Sequence, residues 1–227
     1  MLDVTAVIIA RAGSQRLPNK NMMLFHGKPL VVHKVLQLKR CKQVSRIVVG
    51  SDSPEILKAA EDAGAEVRLR EPEFCDEKSR TWNEVILDMA LRVPGEVILW
   101  AHCTNPCIRA ETYDRAIARY KQLLDDRIGD SLVSVSRIQG HIWARMDGVL
   151  RPVNFEPWTK AHQVAADVEP VYTQNGGIFV YGRHAMIRSR YVYGNNPGFM
   201  TLEHPECIDV DTQADFDAAS LAWDWTL

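Results

Sequence analysis

Acidic residues are missing from most of the first quarter of this 227-residue chain. None lies between Asp3 and Asp52, whereas nine Lys or Arg residues do. The net charge of the whole chain is only −2, so the excess of positive charge is local. A local group of cations suits a small anionic ligand better than a long polyanion, and we do not expect nucleic-acid binding.

The sequence also lacks the features of secreted and membrane proteins. Its five cysteines are an odd number without CxxC spacing, and no apolar run is long enough for a signal peptide or a bilayer span. We therefore expect reduced thiols, a cytoplasmic location and no membrane partner. A hydrophobic content of 46% and a charged content of 25% are typical of a globular protein.

Short apolar runs alternate with amphipathic stretches as far as residue 136. The runs predict strands at residues 4–10, 46–50, 66–70, 96–101 and 131–136. The stretches between them predict helices at residues 29–41, 54–64, 81–92 and 110–124. Strands separated by helices of this size indicate βαβ units. The predicted fold class is α/β, with a mainly parallel Rossmann-like sheet and helices on both faces.

The regular alternation ends after residue 137. Residues 141–153 predict a hairpin, with Asp147-Gly148 as its turn, and residues 177–181 predict a return to a strand. We interpret residues 138–175 as an insertion lobe that either covers the active site or pairs with another subunit. No repeat or linker divides the chain, so residues 1–227 are expected to form a single domain.

A glycine-bearing basic loop follows the first predicted strand. It contains Arg11, Arg16 and Lys20, with Gly13 between them. Such a loop at the carboxyl end of a buried strand can direct backbone N–H groups and cationic side chains toward one point, which is an arrangement that binds phosphate. A solvated basic loop is the alternative, but ligands of open parallel sheets bind at this edge.

Two carboxylates near the C-terminus, Asp209 and Asp211, form the second chemical signal. If this segment is a strand, residues two apart point to the same face, so both would project together. Paired oxygen ligands of this kind suit Mg²⁺. The alternative is that Asp211 only favours the start of the next helix, for which Thr212 and Asp215 resemble a capping box.

Polar residues also follow the fourth major predicted strand. His102, Thr104 and Asn105 lie there, and Thr104 and Asn105 offer the hydroxyl and amide groups that could hold a polyhydroxylated ligand. His102 could equally be a core histidine. Further along, Asn175-Gly176-Gly177 precedes another strand, and paired glycines there allow close backbone approach or a bulge.

These motifs together resemble those of a known family. The segment Ile8–Asn21 is similar to the signature loop of the acylneuraminate cytidylyltransferases, the CMP-sialic acid synthetase family. Asn175–Phe179 and Ile208–Thr212 resemble two later segments of the same family. The resemblance extends from Val7 to Phe216 and implies a nucleotidyltransferase fold.

The resemblance also implies a reaction and a set of site residues. Such enzymes transfer CMP from CTP to a nine-carbon sugar acid, release pyrophosphate and form homodimers through the middle insertion. Arg11 and Lys20 would be catalytic, and Asp209 and Asp211 would hold Mg²⁺. The nucleotide would contact Ala10, Arg11, Ala12, Gly13, Ser14, Lys20, Asn21 and Arg70.

The departures from the family pattern fall around the expected sugar pocket. His102 stands where relatives often have Gln, and the segment from Lys160 to Gln174 lacks the arginines expected there. We therefore expect an acceptor other than N-acetylneuraminate. The predicted acceptor-binding residues are His102, Thr104, Asn105, Asn175 and Gly176. Three alternatives stay open, namely a sugar-1-phosphate nucleotidyltransferase, a glycosyltransferase and a non-catalytic nucleotide-binding protein.

Overall fold

A seven-stranded mixed sheet forms the centre of the computed structural model, which describes residues 2–14, 16–76, 78–157 and 163–224. The strands of this sheet are β1 (Val4–Ile9), β4 (Arg46–Ser51), β5 (Glu66–Leu69), β6 (Val97–Ala101), β7 (Ser131–Ile138), β10 (Val171–Gly182) and β11 (Pro197–Thr201). Two small hairpins stand apart from it, formed by β2 (Leu24–Phe25) with β3 (Lys28–Pro29) and by β8 (Trp143–Met146) with β9 (Val149–Pro152).

The order of strands in the sheet is β11-β7-β10-β6-β1-β4-β5. Strands β1, β4, β5 and β6 pair in parallel, as do β7 and β11, so the prediction of a mainly parallel α/β sheet is confirmed. Strand β10 runs antiparallel to both of its neighbours and is interrupted by a register shift between Gln174 and Phe179. Its orientation and the existence of β11 were not predicted.

Helices cover both faces of the sheet, as expected. They are α1 (Leu30–Lys39), α2 (Pro54–Asp62), α3 (Trp82–Arg92), α4 (Ala110–Asp125), α5 (Arg183–Ser189) and α6 (Gln213–Asp224). Alternation along β1 divides the core: Ala6 and Ile8 face the layer that contains α1, α2 and α4, whereas Val7 faces the layer that contains α3 and α5. None of the helices in the described ranges combines the length and apolar character that a bilayer crossing requires.

The hairpin β8–β9 forms as predicted, and Asp147 and Gly148 both have positive φ, at 52° and 81°. Such a two-residue turn matches the twist of the strands that it joins. The main sheet includes the last residues of the predicted lobe, because β10 begins at Val171 and pairs with β7 at once. The predicted acceptor residues Lys160, Ala161 and His162 lie outside the described residues.

Candidate active site

A cleft of about 380 Å³ opens at the carboxyl ends of β1 and β6. Open α/β sheets bind ligands at this edge. Four stretches of chain contribute to the wall: the basic loop after β1, the segment after β5, the start of α3 and the turn after β6. The predicted residues among those that line the cleft are Arg11, Ser14, Lys20, Asn21, Arg70, His102 and Thr104.

The loop after β1 is held in place mainly by its backbone. The carboxylate of Asp52, directly after β4, accepts the Ala12 N–H at 3.1 Å, and Asn21 Nδ2 donates to the Arg11 carbonyl at 3.0 Å. The Ala12 N–H is therefore already bound and does not point at a ligand in this conformation. Space is open around Gly13, since a Cβ built there meets nothing within 4 Å. Such space allows close approach of a ligand to the loop.

Arg70 lines the cleft, although little of it is exposed to solvent. Only 2% of it is exposed, and its guanidinium donates to the Phe74 carbonyl. Burial lowers the pKa of Arg70. Arg11 adds a second bond to the same segment by donating to the Cys75 carbonyl at 3.3 Å. Both predicted arginines thus shape the cleft wall that follows β5.

Lys20 and Arg16 converge on the acidic segment near the C-terminus. Lys20 Nζ donates to the Val210 carbonyl at 2.7 Å and lies 3.1 Å from Asp211 Oδ1. Arg16 approaches the other carboxylate oxygen of Asp211 at 2.8 Å. The Lys20 side chain is 13% exposed and that of Arg16 is 71% exposed, so water weakens the Arg16 pair far more. The basic loop after β1 and the acidic segment are therefore in direct contact.

The acidic segment is not a strand, which corrects the geometry predicted for it. Residues 208–211 belong to no strand or helix, and the Val210 N–H donates to the Thr104 carbonyl at 2.7 Å. The capping box at the start of α6 is confirmed, because the Asp215 carboxylate accepts the Thr212 N–H and Thr212 Oγ1 accepts the Asp215 N–H. Asp215 also accepts the Asp211 N–H at 3.1 Å, which fixes Asp211 beside Lys20.

The carboxylate of Asp209 lies in a different setting from that of Asp211. Part of Asp209 reaches solvent, but neighbouring protein atoms desolvate its carboxylate and so raise the pKa of Asp209. The charge of Asp211 adds to this rise, whereas a hydrogen bond with Thr104 opposes it. Within the described ranges, no group of three or more His, Cys, Asp or Glu side chains is arranged to hold a metal. These two carboxylates would therefore supply only part of a coordination sphere.

His102 sits in an aromatic wall at one end of the cleft. Its ring centroid is 6.4 Å from that of Trp82 and 6.3 Å from that of Phe179. Desolvation lowers the pKa of His102 to about 4, and the charges of Lys34 and Lys20 act in the same direction. The imidazole is therefore neutral at pH 7 and is a weak base there.

Asn105 and Asn175, both predicted to contact an acceptor, are buried and bond to other groups of the protein. Asn105 is fully buried, and its amide donates to the carbonyls of Asn175 and Ile208, each at 3.2 Å. The Asn175 side chain bonds to the hydroxyls of Ser134 and Ser136. Gly176 has φ +71°, a conformation that favours glycine, and a Cβ there would be at ordinary contact distance, 3.6 Å, from Asp209 Oδ2.

Several residues that line or support the cleft were missed from the sequence. Asp52, which holds the loop after β1, carried a usable signal, because it is the first acidic residue after Asp3 and follows a buried strand. Trp82 and Arg80, at the start of an ordinary amphipathic stretch and just before it, carried none. In the structure, Arg80 pairs with Glu73 and stacks 5.3 Å from the Phe74 ring, which stiffens the wall after β5.

Comparison with known proteins gives a consistent family. Residues 5–217 match the model of a family described as cytidylyltransferase. The CMP-N,N'-diacetyllegionaminic acid synthase of Legionella pneumophila is 30% identical over 227 residues, covering 95% of this chain and 94% of the relative. The N-acylneuraminate cytidylyltransferase of Oncorhynchus mykiss is 24% identical over 95% of this chain, which spans only 49% of that longer relative.

Solved structures agree on the fold. A CMP:2-keto-3-deoxy-manno-octonic acid synthetase complexed with CTP superposes with a TM-score of 0.68 at 16% identity, covering 99% of this chain and 100% of that one. A 4-diphosphocytidyl-2C-methyl-D-erythritol synthase from Anaerococcus prevotii gives a TM-score of 0.67 at 12% identity, covering 99% and 98% of the two chains. At these identities the likeness concerns the fold alone.

Proposed function

The chain belongs to the cytidylyltransferase family, and we propose that it transfers CMP from CTP to a sugar acid of the nonulosonic type, with release of pyrophosphate. One observation supports this reaction above the others. Lys20, which lines the cleft on the carboxyl edge of the sheet, and Arg16 both pair with Asp211 of the acidic segment 209–211. A triphosphate needs such cations, and paired carboxylates supply oxygen ligands for the metal that accompanies it.

In the proposed step, an acceptor hydroxyl attacks the α-phosphorus of CTP. A new P–O bond forms to the acceptor, the bond to the β-phosphate breaks, pyrophosphate leaves, and the hydroxyl proton passes to solvent. Arg11 and Lys20 stabilise the charge on the phosphoryl oxygens. Lys20 would exchange its contact with Asp211 for a phosphate oxygen. His102 is not assigned as general base, because its pKa is near 4.

We propose Mg²⁺ as the cofactor, held by Asp209 and Asp211. The donor chemistry fits, since two carboxylates leave most of the coordination sphere to phosphate oxygens and water, as is usual for this ion. The raised pKa of Asp209 also fits, because it marks a carboxylate whose negative charge a nearby cation would stabilise. The ion would neutralise phosphate charge when bound. Asp211 must first release Arg16 or Lys20.

We propose that the acceptor is not N-acetylneuraminate. His102 and Thr104 line the cleft, and the rings of Trp82 and Phe179 flank His102. Aromatic rings favour apolar groups of a ligand, such as deoxygenated carbons and acyl methyls. A nonulosonic acid with acylamino groups in place of hydroxyls fits this wall. The Legionella relative is a synthase of a compound of this kind.

We also propose a cytoplasmic homodimer. All five cysteines are unpaired, as in a reducing compartment. The hairpin β8–β9 exposes large apolar side chains on both faces, among them Trp143, Met146, Val149 and Leu150, each at least 46% exposed. Exposed apolar surface of this kind marks an interaction site. A second copy of the chain is the simplest partner, because it would cover both hairpins in one symmetric contact.

Pyrophosphate release tests the proposed reaction against its rivals. Purified protein is incubated with each of the four ribonucleoside triphosphates and a panel of sugar acids and sugar phosphates. Release that requires both CTP and a nonulosonic acid is the expected result. Release with another triphosphate and a sugar phosphate would instead identify a sugar-1-phosphate nucleotidyltransferase. Binding of CTP without turnover on any acceptor would identify a nucleotide-binding protein.

A further inference from the structure

Helix α1 directs a buried lysine at the turn that follows β6. Lys34 is 0% exposed, and its ammonium donates to the Asn105 carbonyl at 2.8 Å and to the Tyr113 hydroxyl at 2.7 Å. The ammonium also lies 5.0 Å from the centre of the Tyr113 ring. His33 and Gln37, on the same side of α1, both bond to the Pro106 carbonyl. Three polar side chains of one helix thus hold two adjacent carbonyls.

The burial of Lys34 is unfavourable in itself. It forms no ion pair in the part of the chain that the structure describes, and desolvation lowers the pKa of Lys34 to about 8. A buried ammonium without a counter-ion is costly, and an apolar side chain of similar length would fill the space without that cost. A role in the reaction would account for a lysine at this position.

The turn that Lys34 holds is connected to the acidic segment of the cleft. Asn105 Nδ2 donates to the Ile208 carbonyl, and the Thr104 carbonyl accepts the Val210 N–H. The side chain of Thr104 bonds to Asp209. A fourth bond, from Asn105 to the Asn175 carbonyl, places Gly176 against Asp209. The chain of contacts from α1 to the carboxylates therefore passes through two residues, Thr104 and Asn105.

We propose that Lys34 is a positioning residue for the transfer reaction, which fixes the Thr104–Asn105 turn and through it the segment that carries Asp209 and Asp211. The reactive consequence rests on the proposed function, whereas the effect on the segment does not. The nucleotide loop has its own supports, because Asp52 holds Ala12 and Asn21 holds the Arg11 carbonyl. Loss of Lys34 should therefore affect the acidic segment and the acceptor step more than CTP binding.

The test compares Lys34→Met with Tyr113→Phe. Both variants remove one polar partner of the same buried bond, but only the first releases the Asn105 carbonyl. Hydrogen exchange followed by mass spectrometry should be at least about tenfold faster across residues 204–212 in Lys34→Met, and unchanged across residues 4–14.

In Lys34→Met we expect kcat to fall about 10- to 100-fold, as when supports of a metal ligand are removed. The Kd for CTP without metal should change less than about twofold, the factor expected where no contact is lost. Tyr113→Phe should leave kcat and the exchange of residues 204–212 near the wild-type values.

Two results would overturn the proposal. One is unchanged exchange across residues 204–212 in Lys34→Met. The other is an equal loss in kcat and CTP affinity in both variants, which would mean a general loss of structure. If Lys34→Met does not fold, Lys34→Gln, which keeps a donor for Asn105, should retain slow exchange and most of kcat. Faster exchange in a protein whose wild type releases no pyrophosphate would support the positioning role and reject the proposed reaction.

Discussion

The nucleotide half of the molecule, which is the main sheet with its helices, and the hairpin lobe, which carries β8 and β9, differ in how much of their apolar surface one chain buries. In the nucleotide half, β1, β4 and β6 are buried on both faces. The loop after β1 is bonded to Asp52 after β4, and Lys20 of the same loop is bonded to Val210. In the lobe, β8 and β9 pair only with each other and leave large apolar side chains exposed. We propose that the first region binds the nucleotide and that the second gains its packing from a second copy of the chain.

The largest expected effect is the loss of dimer affinity when apolar side chains on the hairpin β8–β9 are replaced. Val149 and Leu150 are each 57% exposed and point to opposite faces. If they are buried between two copies, each contributes about 1.5–3 kcal/mol, so Val149→Ser/Leu150→Ser should weaken the homodimer by more than about a thousandfold. Sedimentation velocity over a concentration series measures this.

Leu91→Ser/Leu124→Ser is the matched control, because both leucines are exposed on helices of the nucleotide half. It should leave the dimer intact. A wild-type protein that sediments as a monomer at all concentrations would contradict the homodimer itself.

Within the nucleotide half, Lys20 should carry the largest catalytic effect. Lys20→Ala removes a cation from the phosphates and a bond from Val210, and we expect a loss of about a hundredfold or more in kcat. Arg16→Ala removes the exposed cation from the same carboxylate and should cost less than about tenfold. Steady-state pyrophosphate release measures both. Equal losses in the two variants would contradict the assignment of Lys20.

What the sequence could predict depended on whether the signals that select an element are local. Helices α3 and α4 were predicted to within a residue, because a capping box at Thr81 and regular amphipathic spacing act locally. The acid-free stretch likewise predicted the basic wall of the cleft. Strand β11 was missed because it begins Pro197-Gly198 and is selected only by its pairing with β7.

Side-chain direction was the other limit of the sequence. Asn105 and Asn175 are polar residues at strand ends, as binding residues often are, yet both bond to the protein itself. Which way such a side chain points depends on distant partners such as Ile208 and Ser134. The aromatic wall around His102 also joins residues from α3, β6 and β10, so no local sequence pattern predicts it.

The buried histidine of α1 should make the nucleotide half sensitive to acid. Burial lowers the pKa of His33 to about 4, and the charge of Lys34 adds to the effect. Between pH 6.5 and 4, His33 therefore binds a proton in the unfolded chain but not in the folded chain. The contribution of neutral His33 to the free energy of unfolding is fully present above pH 6.5 and is lost as the pH decreases. At pH 5 the loss from His33 is about 2 kcal/mol.

His33→Gln tests this, because the Gln amide can donate to Pro106 but does not titrate. Urea unfolding at pH 7 and pH 5 should show a smaller difference for His33→Gln than for the wild type, by about 2 kcal/mol. His102, whose pKa is also near 4, is present in both proteins, so the free energy of unfolding of His33→Gln should still decrease somewhat at pH 5. Identical differences in both proteins would show that His33 is not desolvated in the folded state.

His102 lies in the aromatic wall of the cleft and should affect acceptor choice but not nucleotide binding. His102→Gln exchanges a neutral ring between Trp82 and Phe179 for a flexible amide. We expect the ratio of kcat/KM for a diacylamino nonulosonic acid over N-acetylneuraminate to fall about tenfold, the size of one altered pocket contact. The KM for CTP should stay constant. A changed KM for CTP with a constant acceptor ratio would place His102 on the nucleotide side.

The smallest expected effect separates stability from catalysis at the acidic segment. Thr212→Ala removes the hydroxyl that caps α6, and Ser53→Ala removes the one that caps α2, where the Ile56 N–H donates to Ser53 Oγ at 3.3 Å. Each should lower the free energy of unfolding by about 1 kcal/mol.

The effect on kcat should differ between the two variants. In the Thr212 variant the Asp211 N–H still donates to Asp215, so kcat should fall by less than about threefold, as when one support is weakened. Ser53→Ala should not change kcat at all, because its helix begins far from residues 209–211 in the chain and makes none of their contacts. Urea unfolding and pyrophosphate release on the same preparations measure the two quantities. A tenfold loss of kcat in Thr212→Ala would show that the cap itself, and not only the bond between Asp211 and Asp215, orients the carboxylate toward the cleft.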